Sequence, residues 1–193
     1  MSEGNRQLRR GEAAMTVEEV FDIAPLERAA RIFTTIITAF SLGLSGFLVV
    51  VAVVAAATAL IAVPCLLLGI LVVSLAMSPT GFAVGSGQLA VTRRALRPLL
   101  FPLVGLAAAR PTALPRSWRL LGNGGVFGFW GTFRNKDWGR FKVYATDQHN
   151  GVLLEWPGRK MYVTPADREG FCRAVLARSA QAGGQLGPPQ GTP

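Results

Sequence analysis

The sequence predicts an α+β membrane protein: a hairpin of two transmembrane helices, followed by a β domain of about seven strands and a C-terminal helix. Three observations predict this class. Half of the 193 residues are hydrophobic and only 16% are charged, against about 25% charged in ordinary soluble domains. No Asp, Glu, Lys or Arg lies between Arg31 and Arg93. After Pro79 the pattern changes to short alternating segments, which are typical of strands.

The charge-free stretch is long enough for two membrane crossings. Its most apolar part covers residues 32–77, and a bilayer core about 30 Å thick requires roughly 20 apolar residues in each helix. We therefore expect spans at about residues 32–54 and 59–77, joined by a turn near residues 55–58. A cleaved signal peptide is the alternative, but the acidic residues that precede the stretch disfavour it.

The positive charges predict the orientation of the helical hairpin. Arg28 and Arg31 precede the first span, and Arg93, Arg94 and Arg97 follow the second, whereas the turn between the spans has no charge. Because basic residues flank the cytoplasmic ends of membrane helices, both termini and the β domain are expected in the cytoplasm. Neither span holds an ionisable side chain, so the hairpin is interpreted as an anchor and not as an ion pathway.

Alternating segments after the spans predict β structure. Aromatic residues and glycines alternate over residues 127–134, a turn follows at residues 135–137, and residues 140–145 alternate again, which predicts a β-hairpin. Further strands are expected at residues 81–84, 88–93, 99–106, 152–156 and 160–163.

A helical pattern follows the last expected strand. Thr164 is a favoured N-cap residue, Pro165 suits the first helical position, and Asp167 places an acid in the first turn. A helix is therefore expected over residues 165–179. The chain then divides into a partly disordered N-terminal segment, the helical hairpin, a β domain with its helix, and a disordered tail, at residues 1–31, 32–78, 80–180 and 181–193.

Three sequence runs in the β region carry a family resemblance. They are LLGNGGVFGFWG at residues 120–131, GRFKVYATD at 139–147 and VTP at 163–165. With these runs, residues 80–178 resemble the bacterial pleckstrin homology (PH)-like membrane proteins. The resemblance implies a partly open, strongly bent β-barrel plugged by the C-terminal helix, placed at the bacterial inner membrane. It implies neither a reaction nor a set of functional residues.

Candidate chemical sites are few. Phosphoinositide-binding PH domains are similar to one another in a basic loop between their first two strands, whereas residues 85–87 here hold no cation. The glycines of residues 122–125 lead into a strand pattern, which does not suit a nucleotide loop. The single imidazole, His149, lies in a turn, and Cys65 and Cys172 are far apart in the sequence. We expect no catalytic, metal or cofactor site and no enzyme activity.

The remaining candidates are basic residues that suit contact with a partner or with anionic lipid. They are Arg134, Lys136, Arg140 and Lys142 of the predicted β-hairpin, with Arg93, Arg94 and Arg97 beside the second span. A solvated outer face that only enforces topology is the alternative interpretation.

The sequence thus predicts a non-enzymatic interaction or scaffold module, integral to the lipid bilayer, that docks a protein partner or forms a homo-oligomer. One alternative is a domain that binds the surface of anionic lipid. Another is an accessory subunit of a membrane transporter or enzyme complex. Trp130, Trp138 and Tyr144 beside basic residues would suit base stacking, but the membrane anchor makes nucleic acid an unexpected partner.

Overall fold

The computed structural model describes residues 17–55, 58–85 and 87–185. Most of the two terminal segments expected to be disordered lies outside the described residues, at residues 1–16 and 186–193. The same holds for residues 56–57 of the expected turn between the spans and for Ser86 of the 85–87 connection.

Two apolar helices occupy the N-terminal part of the chain. Helix α1 spans Arg28–Val54, and α2 spans Ala62–Met77 after a short 3-10 helix at Thr58–Ile61. The segments Arg28–Val54 and Ala59–Met77 have mean hydropathies of 2.4 and 2.8 and are long and apolar enough to cross a membrane, by length and composition. The buried residues of α1 are all small, which permits close packing against a neighbouring helix: Ala30, Thr34, Ser41, Ser45 and Ala52.

The strands form two sheets. Strand β1 (Glu19–Asp22) precedes the helices. The strands after the helices are β2 (Pro79–Gly85), β3 (Gln88–Arg93), β4 (Leu99–Pro102), β5 (Ala108–Thr112), β6 (Trp118–Gly124), β7 (Phe129–Asn135), β8 (Gly139–Ala145), β9 (Gly151–Trp156) and β10 (Arg159–Val163). The four-stranded sheet has the order β1-β2-β3-β4. The six-stranded sheet has the order β5-β9-β10-β8-β7-β6, in which only β8 and β10 run parallel.

This architecture differs from the expected barrel of about seven strands. The described residues form ten strands in two sheets, with no closed barrel. Strands β1, β5 and β6 have no counterpart among the sequence predictions. Pro102 lies in β4 and Pro111 in β5, each an edge strand, and a proline offers no N–H for a further ladder.

A large core lies between the two sheets and is closed by helix α3 (Arg168–Gln185). Phe171 of α3 is fully buried and packs edge-on against Phe21 and Phe82, with ring centroids 5.3 and 5.7 Å apart. The helix begins three residues later than the expected Pro165, because Asp167 caps it by accepting a 2.9 Å bond from the Gly170 N–H. Thr164 is instead buried and accepts a bond from the Thr146 N–H.

A second core covers the other face of the six-stranded sheet. It contains Phe129, Phe133, Phe141, Val143, Ala145 and Tyr162 of the sheet, together with Ala30 of α1. The expected β7–β8 hairpin is confirmed: Asn135 is paired with Gly139, and its side-chain oxygen accepts a 2.6 Å bond from the Trp138 N–H. The start of α1 therefore forms part of the packing of the sheet.

Candidate interaction site

The segment that leads into α1 is bound to both sheets. Strand β1 pairs with β2, and the Ala24 N–H then donates to the Thr164 carbonyl at 2.9 Å. The Glu27 N–H donates to the Thr146 carbonyl at 3.1 Å, and the Thr146 hydroxyl donates to the Ala24 carbonyl. Helix α1 consequently begins at the sheet surface, with no free linker between them.

Both helices also hold the loop between β6 and β7. The Thr34 hydroxyl of α1 donates to the Gly125 carbonyl at 2.9 Å and accepts from the Phe127 N–H at 3.1 Å. The Ser78 hydroxyl, just after α2, donates to the Phe127 carbonyl at 2.7 Å. Phe127 has a φ of 58°, which is uncommon for a residue with a side chain. These bonds hold that conformation and define a helix–sheet junction formed by Thr34, Ser78 and residues 125–128.

Arginines gather at this end of the helices. The Arg94 N–H donates to the Ser78 carbonyl at 3.2 Å, so the turn after β3 lies against the end of α2. The Arg93 guanidinium donates to the Arg97 carbonyl and closes the turn. We call the following set the helix-end cluster: Arg28, Arg31, Arg93, Arg94 and Arg97. Of the three predicted arginines after the second span, Arg94 lines a cavity together with Pro25 and Leu26, which lie just before α1.

The other predicted cations form a second group, the strand cluster, which consists of Arg134, Lys136, Arg140 and Lys142, all exposed. Arg134 of β7 is paired with Arg140 of β8, so both side chains share one face of the sheet. Lys142 is two residues further along β8 on that face, with its ammonium 5.3 Å from the Phe101 ring centroid. Like charges placed opposite each other in a sheet are destabilising, which makes this arrangement a costly one for stability alone.

The two clusters are joined through Tyr144. This residue follows Lys142 on the same face of β8, and its ring lies 5.8 Å from that of Phe101. Burial raises the pKa of the Tyr144 phenol, and the nearby positive charge of Arg93 opposes that rise. Across the described residues no member of either cluster takes part in a salt bridge. The structure therefore offers a basic surface without internal neutralisation.

Sequence reasoning missed the residues around β6. A cavity of about 910 Å³ beside the strand cluster is lined by Arg116 and Trp118 as well as by Arg134, Lys136 and Asp137. Trp118 is paired directly with Arg134, so it stands on the face that carries the strand cluster. The sequence feature that could have indicated this strand is the mixture of apolar and basic residues at 116–121. Its alternation is broken by a bulge between Arg119 and Leu121.

The three aromatic residues considered for base stacking are used in packing. Trp138 lies edge-on to Phe141 at 5.2 Å, Tyr144 is buried, and Trp130 is half-buried against the core between the sheets. His149 has its Nε2 3.4 Å from a carboxylate oxygen of Glu27 and is exposed. These positions suit structural contacts.

The two cysteines lie in different helices. Cys172 is buried, and burial raises the pKa of its thiol, while Cys65 is exposed on α2. In the part of the chain that the structure describes, no group of three or more His, Cys, Asp and Glu is placed to hold a metal ion.

The geometry defines a two-sheet module joined to an apolar helical hairpin and carrying a basic face. Residues 107–179 match the family described as the bacterial PH domain. No curated protein and no solved structure matches the chain. The matched residues contain the six-stranded sheet and most of α3, whereas the helices and the four-stranded sheet lie outside the match. Residues 107–179 are therefore similar to a bacterial PH domain.

Proposed function

We propose that this protein is a membrane-anchored, non-enzymatic interaction module of the bacterial inner membrane. The helical hairpin crosses the bilayer, both termini and the β domain face the cytoplasm, and the PH-like domain docks a protein partner or a second copy. The observation that carries the proposal is the junction, where two apolar helices meet the PH-like domain amid five arginines.

The exposure of the helices supports the anchor. In the most apolar windows of the two segments, only 17% and 6% of the residues are buried. Phe40 and Phe47 of α1 and Leu66 of α2 are each about two-thirds exposed, at 66%, 64% and 64%. An apolar surface of this extent requires a non-aqueous cover, and a bilayer supplies it. The helix-end cluster then lies on the side that the positive-inside rule assigns to the cytoplasm.

The rigid junction supports a docking role. Because Thr34 and Ser78 hold the β6–β7 loop from both helices, the PH-like domain has a defined orientation relative to the anchor. Such an arrangement presents the same face to every partner at the membrane surface. If the docked partner is a transporter or an enzyme, this protein is an accessory subunit and the partner carries the activity.

Thiol labelling in intact cells tests the topology. In a chain with Cys65→Ala and Cys172→Ala, Ala55→Cys places a thiol at the exposed end of α1, and Lys136→Cys places one in the β7–β8 turn. A membrane-impermeant maleimide is expected to label position 55 in intact cells and position 136 only after permeabilisation. Labelling of position 136 in intact cells would overturn the proposal.

A second candidate function is contact with anionic lipid through the strand cluster. The observation that favours it is the absence of salt bridges for its four cations within the described residues. Each cation near an anionic surface contributes about 1 kcal/mol. The double variant Arg134→Gln, Arg140→Gln is therefore expected to weaken anionic-lipid binding by about 2 kcal/mol, or about 30-fold.

Lipids bound to the purified full-length protein can be measured by native mass spectrometry at low and high salt. Arg173→Gln is the matched control, because Arg173 is exposed on α3, away from the basic face. Equal losses in the control and the double variant, or binding that ignores salt, would contradict the lipid role and leave protein docking as the function.

A further inference from the structure

Strand β6 leaves large apolar side chains uncovered. It is an edge of the six-stranded sheet and pairs only with β7. Trp118, Leu120 and Leu121 are 83%, 53% and 74% exposed. An apolar edge strand with free backbone groups invites aggregation in water.

The same strand faces helix α2 across an apolar cleft. Gly122 and Asn123 of β6 and Trp130 of β7 line one wall of this cleft, which has a volume of about 570 Å³. The α2 wall consists of residues that recur every four positions and so share one helix face: Cys65, Leu66, Gly69, Ile70, Val73 and Ser74.

The cleft extends along much of α2. Cys65 and Ser74 are nine residues apart, which corresponds to about 14 Å along the helix axis. Gly69 leaves additional space in the cleft, because no atom lies within 4 Å of the position that a Cβ would occupy. Because the cleft is open along α2, the medium that surrounds this part of α2 also fills the cleft and contacts β6.

We propose that the β6 edge is a second membrane contact, inserted into the interfacial layer of the bilayer that the helical hairpin crosses. Trp118, Leu120 and Leu121 lie among the lipid glycerol groups and upper acyl chains, and lipid fills the cleft between β6 and α2. The inference rests on the proposed anchor and adds to it a tilt of the PH-like domain that brings one edge of the sheet into the membrane.

The chemistry of the edge matches that of a bilayer interface. Tryptophan favours this layer because its ring is apolar and its N–H is polar. Trp118 stands directly opposite Arg134, and Arg116 precedes it by two residues, so cations accompany the inserted ring at the level of the phosphates.

A second copy of the chain is the competing occupant, because two β6 edges could pair with each other. The basic residues beside Trp118 argue against it, since such pairing would bring together two sets of unneutralised cations. The experiment below separates the two occupants.

Depth-dependent quenching on the full chain in anionic liposomes tests the inference. An environment-sensitive fluorophore is attached to Leu121→Cys, Leu42→Cys or Val20→Cys in the chain with Cys65→Ala and Cys172→Ala. Leu42 is exposed near the middle of α1, and Val20 is an exposed residue of β1, at the edge of the other sheet. We expect lipids quenching at shallow depth to reduce emission from position 121, lipids quenching at the bilayer centre to reduce emission from position 42, and only aqueous quenchers to act on position 20.

The outcomes distinguish the inference from the anchor on which it rests. If position 42 is in lipid and position 121 is in water, the edge contact is wrong and the anchor stands. If position 121 is shielded from both lipid and aqueous quenchers, a second copy covers it and the inference is again overturned. If position 42 is in water, the anchor itself fails.

A label-free measurement guards against misfolding of the cysteine variants. Brominated lipids should quench part of the tryptophan emission of the otherwise unchanged chain. Trp118→Phe is expected to remove a large share of the quenchable part, and Trp130, which lines the lipid-filled cleft, accounts for the rest. Trp138→Phe alters a packed residue and should leave the quenchable part unchanged. An unchanged quenchable part in Trp118→Phe would overturn the inference.

Discussion

The helical hairpin and the core between the sheets contain the same kinds of side chain, yet they differ in what covers them. Phe171 and Leu154 in the core have no exposed surface, because two sheets and a helix enclose them. Phe40 in α1 is 66% exposed. The apolar side chains of the core are thus buried by the protein itself, whereas those of the helical hairpin are exposed and favour a non-aqueous environment.

The two regions also meet through a different kind of interaction. At the junction, hydroxyl groups of Thr34 and Ser78 bond to the backbone of the β6–β7 loop. Hydrogen bonds of this kind have strict geometry, so they fix an orientation that apolar contact alone would leave adjustable. The contrast between core, helices and junction leads to three predictions, in order of decreasing effect.

The same substitution is expected to have unequal effects in the two apolar regions. Phe171→Ala should lower the free energy of unfolding of the β domain by about 3–5 kcal/mol, because it leaves a cavity that the sheets cannot fill. Phe40→Ala should change stability by only about 0.5 kcal/mol, since lipid or detergent chains take the place of the ring. Denaturant unfolding of both full-length variants in the same micelles measures the difference.

A similar loss in both variants would show that Phe40 is covered by protein and would remove the basis of the comparison. The protease resistance of the β domain, compared between the two variants, is a second measure of their difference in stability.

The junction is expected to be sensitive to one hydroxyl group. Thr34→Val keeps the shape of the side chain but leaves the Phe127 N–H and the Gly125 carbonyl without their partner, at a cost of about 1–3 kcal/mol. Thr35→Val is the matched control, because the Thr35 hydroxyl bonds only to the Arg31 carbonyl within its own helix. Hydrogen exchange in residues 125–128 should increase in the first variant and stay unchanged in the second.

Equal exchange in both variants would mean that the loop keeps its conformation without α1. The orientation proposed for the PH-like domain would then lack its physical support.

The smallest effect concerns the turn between β8 and β9. The pKa of Asp147 lies below its usual value. Burial raises this pKa, but hydrogen bonds from the Asn150 side chain and from the His149 and Asn150 N–H groups lower it by more. A lowered pKa means that the ionised group stabilises the folded state above its unfolded pKa of about 3.9. This contribution is lost as the pH falls through the folded pKa.

Asp147→Asn should therefore be slightly less stable than the unchanged protein near neutral pH, and the difference should shrink in acid. Thermal unfolding of both proteins at several pH values measures it. A stability difference that grows below pH 4 would contradict the assignment.

The elements that the sequence predicted correctly are those that depend on neighbouring residues. Asn135 and the alternation on either side of it predicted the β7–β8 hairpin, because a tight turn depends only on neighbouring residues. Strand β1 was missed, since its four residues are stabilised by β2, more than 50 positions further along the chain. Strand β6 was missed because a bulge and several glycines break its alternation.

The candidate site divides in the same way. The basic residues were visible as a local excess of charge, but their grouping depends on the pairing of β7 with β8 and on the turn after β3. Trp118 gained its importance only from its pairing with Arg134. Residue type indicates the chemistry that is available, whereas register and packing decide which groups act together.

By itself, the sequence determined the two apolar helices, the PH-like character of the later strands and the excess of positive charge. Each follows from composition or from a short repeating pattern along the chain. Only the tertiary structure decided that the strands form two sheets, that Thr34 and Ser78 fix the junction, and that β6 exposes its apolar edge beside α2. These features depend on contacts between distant residues, and their free energy is set by geometry that no local pattern contains.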